Sequence, residues 1–424
     1  MKSELIYYYS ACIGIKTKSL SILCDPWFTD GAFGGSWFQY PWKSVSPADI
    51  GHYDYIYVSH IHPDHYDPVW INSYLECFPQ TKVLVAKWAK AKVPLEAKMR
   101  RDCISFESIE NLVIDDTRLT IIPHDRGSSS DIDSCLVLET DDYCVVNMND
   151  CIWDEEFYKK VDTVVKKYRD SQRKTVGLFS FTPAGPYPHT YYWNDDSLAA
   201  KSDEHRRRYL DFYTKKTNQI NCTINIPFAG QYILGAGLEK YNKFRGICDA
   251  VDVYNIDSKA LVLQDYGHGS LDLDTFSVQG KRLNQYSEVT YADRLNDISG
   301  RPLTYKTFSV QDFSSQFVLR KLIRHAFSNA LRMMSSGLDY CYEFHVDGLY
   351  LCSLDLLDKT LCFDQASCSR NILHAIEIES KLLTSLLLGL EHWDNAEKGS
   401  MYLSKRTPDI FSREAQSFLH FLTI

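Results

Sequence analysis

Six consecutive residues, His60-Ile61-His62-Pro63-Asp64-His65, follow the apolar run Tyr55-Ile56-Tyr57-Val58 after a single serine and restrict what this chain can fold into. The apolar run reads as a buried strand. Three of the chain's 13 histidines then fall at its C-terminal end. In an extended segment alternate side chains share a face, so His60 and His62 point the same way. Neutral imidazoles and carboxylates are the usual ligands of zinc, non-heme iron and manganese. A helix follows: Asp67 caps it, Pro68 sits near its first position, and Trp70, Ile71, Tyr74, Leu75 and Phe78 recur at helical spacing.

The surrounding chain repeats strand and helix units. Residues 5–9, 11–15 and 20–24 read as short strands, the last ending in Asp25-Pro26-Trp27-Phe28. A glycine-containing loop carries Phe33, Trp37, Phe38, Tyr40 and Trp42, which serve either as a substrate wall or as a plug over the core. Strands are expected at 83–86 and 119–122, the second ending at Pro123-His124-Asp125 before the serine-rich loop 128–130. Asp141-Asp142 joins strands 135–140 and 143–149 as a hairpin, and the second runs into Asn149-Asp150. An amphipathic helix around 157–168, a strand at 176–181, a charged helix at 197–215 and a strand near 222–227 follow. The basic run Lys87, Lys90, Lys92, Lys98, Arg100 and Arg101 reads as a solvated helix face, with a phosphate-attracting rim as the alternative. Strand ends carrying His60, His62, Asp64, His65, His124 and Asp150 predict an α/β sandwich of two sheets flanked by helices, its site at one edge.

From about residue 300 the pattern changes to a helix over 313–335, strands at 341–345, 349–355, 360–364 and 373–378, and an apolar helix from Leu382 to Leu390. Residues 1–300 are therefore expected to form the metal-binding domain and 301–424 an α+β accessory domain.

Composition narrows the functional classes. A net charge of −9 argues against nucleic acid as a partner. No apolar stretch is long enough for a membrane span, and the opening Met1-Lys2-Ser3-Glu4 is no secretory leader, so a cytoplasmic location is expected. The 13 cysteines are scattered, with no Cys-x-x-Cys pair, which suits a reducing compartment better than a disulfide framework. The Cys-x-His and Cys-x-x-His pairs of a Rieske cluster are absent as well.

His60-x-His62-x-Asp64-His65, the later His124 and Asp150, and Asp25-Pro26-Trp27 together make the chain resemble the metallo-β-lactamase superfamily. Within it, Asp133-Ser134-Cys135, Asn149-Asp150-Cys151 and Pro227-Phe228-Ala229-Gly230 look most like the metallo-β-lactamase-fold part of the CMP-N-acetylneuraminate hydroxylases. UlaG-type lactonases and N-acyl-phosphatidylethanolamine phospholipase D are more distant. The likeness covers about residues 5–245 and implies a metallo-β-lactamase-like αββα sandwich with the C-terminal α+β appendage. It implies that His60, His62 and His124 hold one metal, that Asp64 and His65 begin a second site, and that Asp150 bridges them. Asp64 is then also the candidate catalytic residue, orienting or deprotonating a metal-bound water. Hydrolases of the superfamily place a last histidine after the late strand, where this chain reads Pro227-Phe228-Ala229-Gly230. His189 is the candidate substitute ligand, and His268 a weaker one.

The expected function is a metal-dependent hydrolase acting on a phosphodiester, lactone or amide of a small anionic substrate. Zn2+, one or two ions, is the expected cofactor, with Fe or Mn as alternatives. The first rival is a dinuclear iron oxygenase acting on a sugar nucleotide or similar substrate. The second is a non-catalytic scaffold that retains the fold.

Overall fold

The structure is a computed structural model that describes every residue except 1, 89–93, 127–131, 192–194, 311–312, 335 and 365–369, together with the side chains of 195–196. The serine-rich loop 128–130 and the Lys90–Lys92 part of the basic run lie outside the described residues.

Two sheets dominate the first three hundred residues. The first runs, in spatial order, Val278–Gln279, Gly269–Asp272, Glu4–Tyr9, Cys12–Lys16, Ser21–Cys24, Tyr55–Tyr57, Lys82–Ala86 and Phe106–Ile109. The second runs Ile224–Phe228, Lys174–Ser180, Tyr143–Asn147, Ile132–Glu139, Thr117–Asp125 and Asn111–Ile114. Leu5, Ile13, Ile15, Ile22 and Leu84 of the first sheet share one buried cluster with Leu119, Ile121, Leu136, Val145, Leu178 and Ile226 of the second. That cluster is the seam between the layers.

Helices cover both outer faces because their apolar stripes match the outward strand residues. Pro68–Cys77 and Pro94–Arg101 lay Trp70, Ile71, Tyr74, Leu95 and Met99 against Leu23, Ile56, Val83 and Val85. On the opposite side, Glu155–Asp170 and Asp195–Ile220 bring Phe157, Val161, Val165 and Tyr213 onto Cys135, Val137, Val146 and Phe179. Helix, sheet, sheet, helix is the αββα order the sequence predicts, and the architecture is metallo-β-lactamase-like. The short edge strands at 269–272 and 278–279 were not expected. They follow Tyr266-Gly267-His268-Gly269 and extend the first sheet beyond Glu4–Tyr9.

The tail folds as helices on a five-stranded sheet ordered Thr360–Phe363, Leu349–Asp355, Tyr340–Val346, Ile372–Ile378, Leu403–Thr407. Its core joins Leu319, Ile323 and Phe327 of helix Gln316–Leu331 to Leu382, Leu383 and Leu386 of helix Ser380–Leu387. Phe38, Ile233 and Ile298 from the first part of the chain belong to the same cluster, so the two parts share an apolar seam. Among the described residues Cys341 is disulfide-bonded and eleven other cysteines are free, so no disulfide framework holds the fold.

Candidate metal centre

The site is assembled at the strand ends where the two sheets meet. Strand Tyr55–Tyr57 lies parallel between Ser21–Cys24 and Lys82–Ala86. The neighbouring strand therefore delivers Asp25 beside the residues that follow Tyr57. Asp25 is fully buried. It accepts the Ser59 N–H and the Ser59 hydroxyl, each at 2.7 Å, and faces His65 Nδ1 at 2.9 Å. Asp67 ties the next piece down. Besides capping its helix through the Trp70 N–H, it accepts the Thr29 N–H at 2.7 Å and the Thr29 hydroxyl at 2.8 Å.

On that platform the motif residues converge. His60 Nε2 and His62 Nδ1 lie 2.6 Å apart. Ligand atoms of His60, His62 and Asp150 all fall within 4.8 Å of one another, the arrangement a single cation would need. His65 Nε2 faces Asp64 Oδ2 at 3.6 Å and Asp150 Oδ2 at 3.5 Å and makes no hydrogen bond. His124 sits at the end of strand Thr117–Asp125, in register with Asp133 of the adjacent strand, and its ring stacks on Phe157 with centroids 4.2 Å apart. His60, His62, Asp64, His124, Asp133 and Asp150 line one cleft of about 630 Å³.

The electrostatics of this pocket fit a cation. Burial pushes the Asp133 carboxyl well above its usual range, and the neighbouring Asp150 adds to the effect. Burial likewise raises Asp64. Burial opposes a charged His65, but Asp64, Asp150 and Asp25 outweigh it and raise that ring's pKa well above normal. Burial and the neighbouring rings hold His60 low, hence neutral and able to offer a lone pair. Carboxylates crowded around imidazoles in a buried nest are what a bound metal neutralises. Among the described residues His60, His62 and Asp150 are the group close enough to share one ion, with Asp64 and His124 on the walls of the same cleft.

The two proposed substitute ligands are not brought into this cleft. His189 Nε2 lies 2.7 Å from Ser400 Oγ, with its ring beside Tyr241, so it works at the seam with the tail. His268 lines a separate cleft of about 480 Å³ with Asp265, Tyr266 and Arg282. The late strand ends in Phe228, and Ala229, at positive φ, donates its N–H to Ser10 O, leaving no ligand at that place.

Two further carboxylates back the imidazoles of the motif. Asp394, in the tail, lies 3.0 Å from His62 Nε2. Asp133 Oδ1 lies 3.4 Å from His60 Nδ1. Arg126, Arg208, Lys216, Lys398 and Arg413 supply positive charge to the cleft walls, while Trp153, Tyr209, Phe212 and Phe411 supply aromatic surface. The described part of the basic run is engaged locally, Lys98 with Asp102 at 2.8 Å and Arg100 with Glu96 at 3.0 Å. The aromatic loop is mainly a plug: Trp27, Phe28, Phe33, Trp37 and Phe38 are all buried, with only Phe33 and Trp37 reaching the cleft. Among the described residues no helix is long and apolar enough to cross a membrane.

Fold and site together define a metallo-β-lactamase-like domain with a histidine–aspartate cluster suited to metal. No family model matches the chain. A protein of Mycolicibacterium smegmatis described as a Rieske 2Fe-2S iron-sulfur protein is 30% identical over 224 residues, 51% of this chain and 41% of that protein. The cytidine monophosphate-N-acetylneuraminic acid hydroxylase of Asterias rubens is 22% identical over 243 residues, 54% of this chain and 35% of its own length. The chain thus spans about two fifths of the length of the curated relatives it matches. Among solved structures, a possible metal-dependent hydrolase from Veillonella parvula aligns with TM-score 0.43 and 15% identity, over 64% of this chain and 100% of that one. CmlA, a diiron β-hydroxylase from Streptomyces venezuelae, aligns with TM-score 0.39 and 15% identity, over 62% and 53%.

Proposed function

We propose that the protein is a metal-dependent enzyme that hydrolyses a phosphodiester, lactone or amide bond in a small anionic substrate. One observation carries the reading: six imidazole and carboxylate side chains from four strand ends meet at one cleft whose other wall is cationic and aromatic. A bound metal pair would supply a low-pKa water and charge stabilisation for the developing oxyanion. The chain's own residues do the rest. Asp64, buried beside His65, is placed to orient or accept a proton from a water in the cleft. Lys216, buried and donating to Ser180 Oγ at 2.7 Å, presents a fixed cation to an anionic group. Arg208 lies over the Phe212 ring, which leaves a flat cationic and aromatic surface for a ring-bearing substrate.

A dinuclear iron oxygenase is the second reading, favoured by one feature of the donor set. With no last histidine, the second metal position has Asp64, Asp150 and His65, a carboxylate-rich set that suits iron or manganese better than zinc. The relatives named as a Rieske protein and a hydroxylase support it, although this chain has no Cys-x-His pair of its own. Metal analysis of protein purified without added metal, joined to turnover with and without oxygen, separates the two. Zinc with oxygen-independent product supports hydrolysis, and two irons with oxygen-dependent product replaces it with oxygenation. The double variant His62→Ala/Asp64→Ala is expected to lose its metal, and a full complement in that variant would overturn the site itself.

A further inference from the structure

His62 is engaged at both ring nitrogens. Nδ1 faces His60 Nε2 at 2.6 Å, and Nε2 faces Asp394 Oδ2 at 3.0 Å. An imidazole that binds a metal through one nitrogen carries its proton on the other, and the partner of that proton sets the ring's orientation and basicity. For His60 the rear nitrogen meets Ser59 Oγ at 2.9 Å and Asp133 Oδ1 at 3.4 Å, and for His65 it meets Asp25 Oδ2 at 2.9 Å. Both backing carboxylates belong to the sandwich. His62 alone of the three is backed from the tail, by a residue 332 positions later in sequence.

Asp394 is held from several sides. It lies on helix Trp393–Lys398 and is 7% exposed. Its second oxygen, Oδ1, is 3.2 Å from Lys398 Nζ and 3.6 Å from His420 Nε2, while its backbone N–H donates to His392 Nδ1 at 3.2 Å. The helix is anchored at both ends. Trp393 Nε1–H donates to Leu422 O at 2.8 Å, and Trp37 Nε1–H donates to Lys398 O at 2.9 Å. Just past the helix, Gly399 sits so close to the aromatic loop that a Cβ there would come within 2.8 Å of Ser36 Oγ and 3.0 Å of Phe33 O. The carboxylate is therefore fixed by packing that involves no metal.

We propose that Asp394 is a positioning residue of the metal centre. By accepting the His62 Nε2 proton it locks that ring with the Nδ1 lone pair turned toward His60 and the cation position, so the tail completes the surroundings of a site whose ligands all come from the sandwich. The inference rests on His60 and His62 being ligands and adds the device that holds one of them.

The test uses the full chain, stripped of metal and titrated with zinc against a chromophoric chelator. Asp394→Asn is close to isosteric and is expected to bind zinc about 10- to 100-fold more weakly, the range seen when such backing partners are removed. At saturating zinc it should still reach the wild-type stoichiometry. Affinity within twofold of wild type overturns the inference, and so does a missing equivalent of zinc at saturation, which would make Asp394 a ligand. A measurement on the unmutated protein guards against a variant that fails to fold. In zinc-loaded, 15N-histidine-labelled chain, His62 should show a protonated Nε2 and a metal-bound Nδ1, and the opposite assignment overturns the proposal. A wild-type chain that binds no zinc or iron sinks the metal-centre reading as a whole, whereas equal binding by wild type and Asp394→Asn sinks this inference alone.

Discussion

Asp25→Asn is the perturbation whose outcome the geometry specifies most fully. The fully buried carboxylate accepts three hydrogens, two from Ser59 and one from His65 Nδ1. An asparagine keeps one carbonyl oxygen for the Ser59 N–H but turns an NH2 donor toward two groups that were themselves donating. The Ser59 hydroxyl loses its carboxylate acceptor, because His60 Nδ1, 2.9 Å away, carries the ring's proton and already donates to it. His65 can meet the new donor only by giving up the Nδ1 proton, which leaves Nε2, between Asp64 and Asp150, as the nitrogen that stays protonated. Hydrogen bonds to a charged group contribute about 1.5–3 kcal/mol each and neutral ones about 1. Losing the His65 bond and weakening the Ser59 pair should therefore cost about 2–4 kcal/mol. Protonating Nε2 also removes the lone pair that would face a metal, and zinc affinity should fall by about 10- to 100-fold. Urea unfolding of metal-free wild type and variant gives the first quantity, and chelator competition gives the second. A stability loss under about 0.5 kcal/mol, or unchanged zinc affinity in a folded variant, would refute the reasoning, whose magnitudes come from charged hydrogen bonds.

Three further outcomes are expected. Burial holds the Lys216 pKa down to about 8, so its positive charge fades as pH rises through that value; inorganic phosphate binding, measured by calorimetry, should weaken from pH 7 to 9 in wild type and be weaker and flatter in Lys216→Met. Burial first, and then Arg406, hold His374 down to about 3, so below its unfolded pKa of about 6.5 the unfolded chain binds a proton that the folded chain refuses. Stability therefore falls as pH drops, and His374→Gln should lose about 2 kcal/mol less than wild type between pH 6.5 and 5 in acid-unfolding curves. Gly399→Ala forces a methyl against Asn395 O and Ser36 Oγ, each 2.8 Å away, and should cost about 1–3 kcal/mol in thermal melts.

The sandwich was legible because its signals are local. The His60–His65 motif, the Asp67 cap and the apolar strands each declare themselves within a few residues, and the helix expected over 197–215 is present as Asp195–Ile220. His124 and Asp150 could be placed because each follows a strongly apolar strand. What escaped notice depends on chain crossings that leave no short-range trace. The cleft's cations come from four separate segments, at Arg126, at Arg208 and Lys216 of one helix, at Lys398 and at Arg413, so no basic run marks them. Of the visible basic run, Lys98 is instead paired with Asp102 and Arg100 with Glu96. A histidine in a glycine- and proline-rich loop suits a ligand, but the His189 ring meets Ser400 Oγ of the tail instead. Asp394 has no motif at all: its meaning comes from Gly399 and Trp37, which bring its helix against the aromatic loop.

The edge strands at Gly269–Asp272 and Val278–Gln279 have a consequence for biosynthesis. Glu4–Tyr9 leaves the ribosome together with one of its two neighbours, Cys12–Lys16, but far ahead of the other, Gly269–Asp272. Until then Leu5 and Tyr7 stand on an open, apolar border able to accept any extended chain nearby. Translation past residue 279 shuts that border, so nascent chains stalled before this point should be the species that chaperones retain and that aggregate when chaperones are scarce.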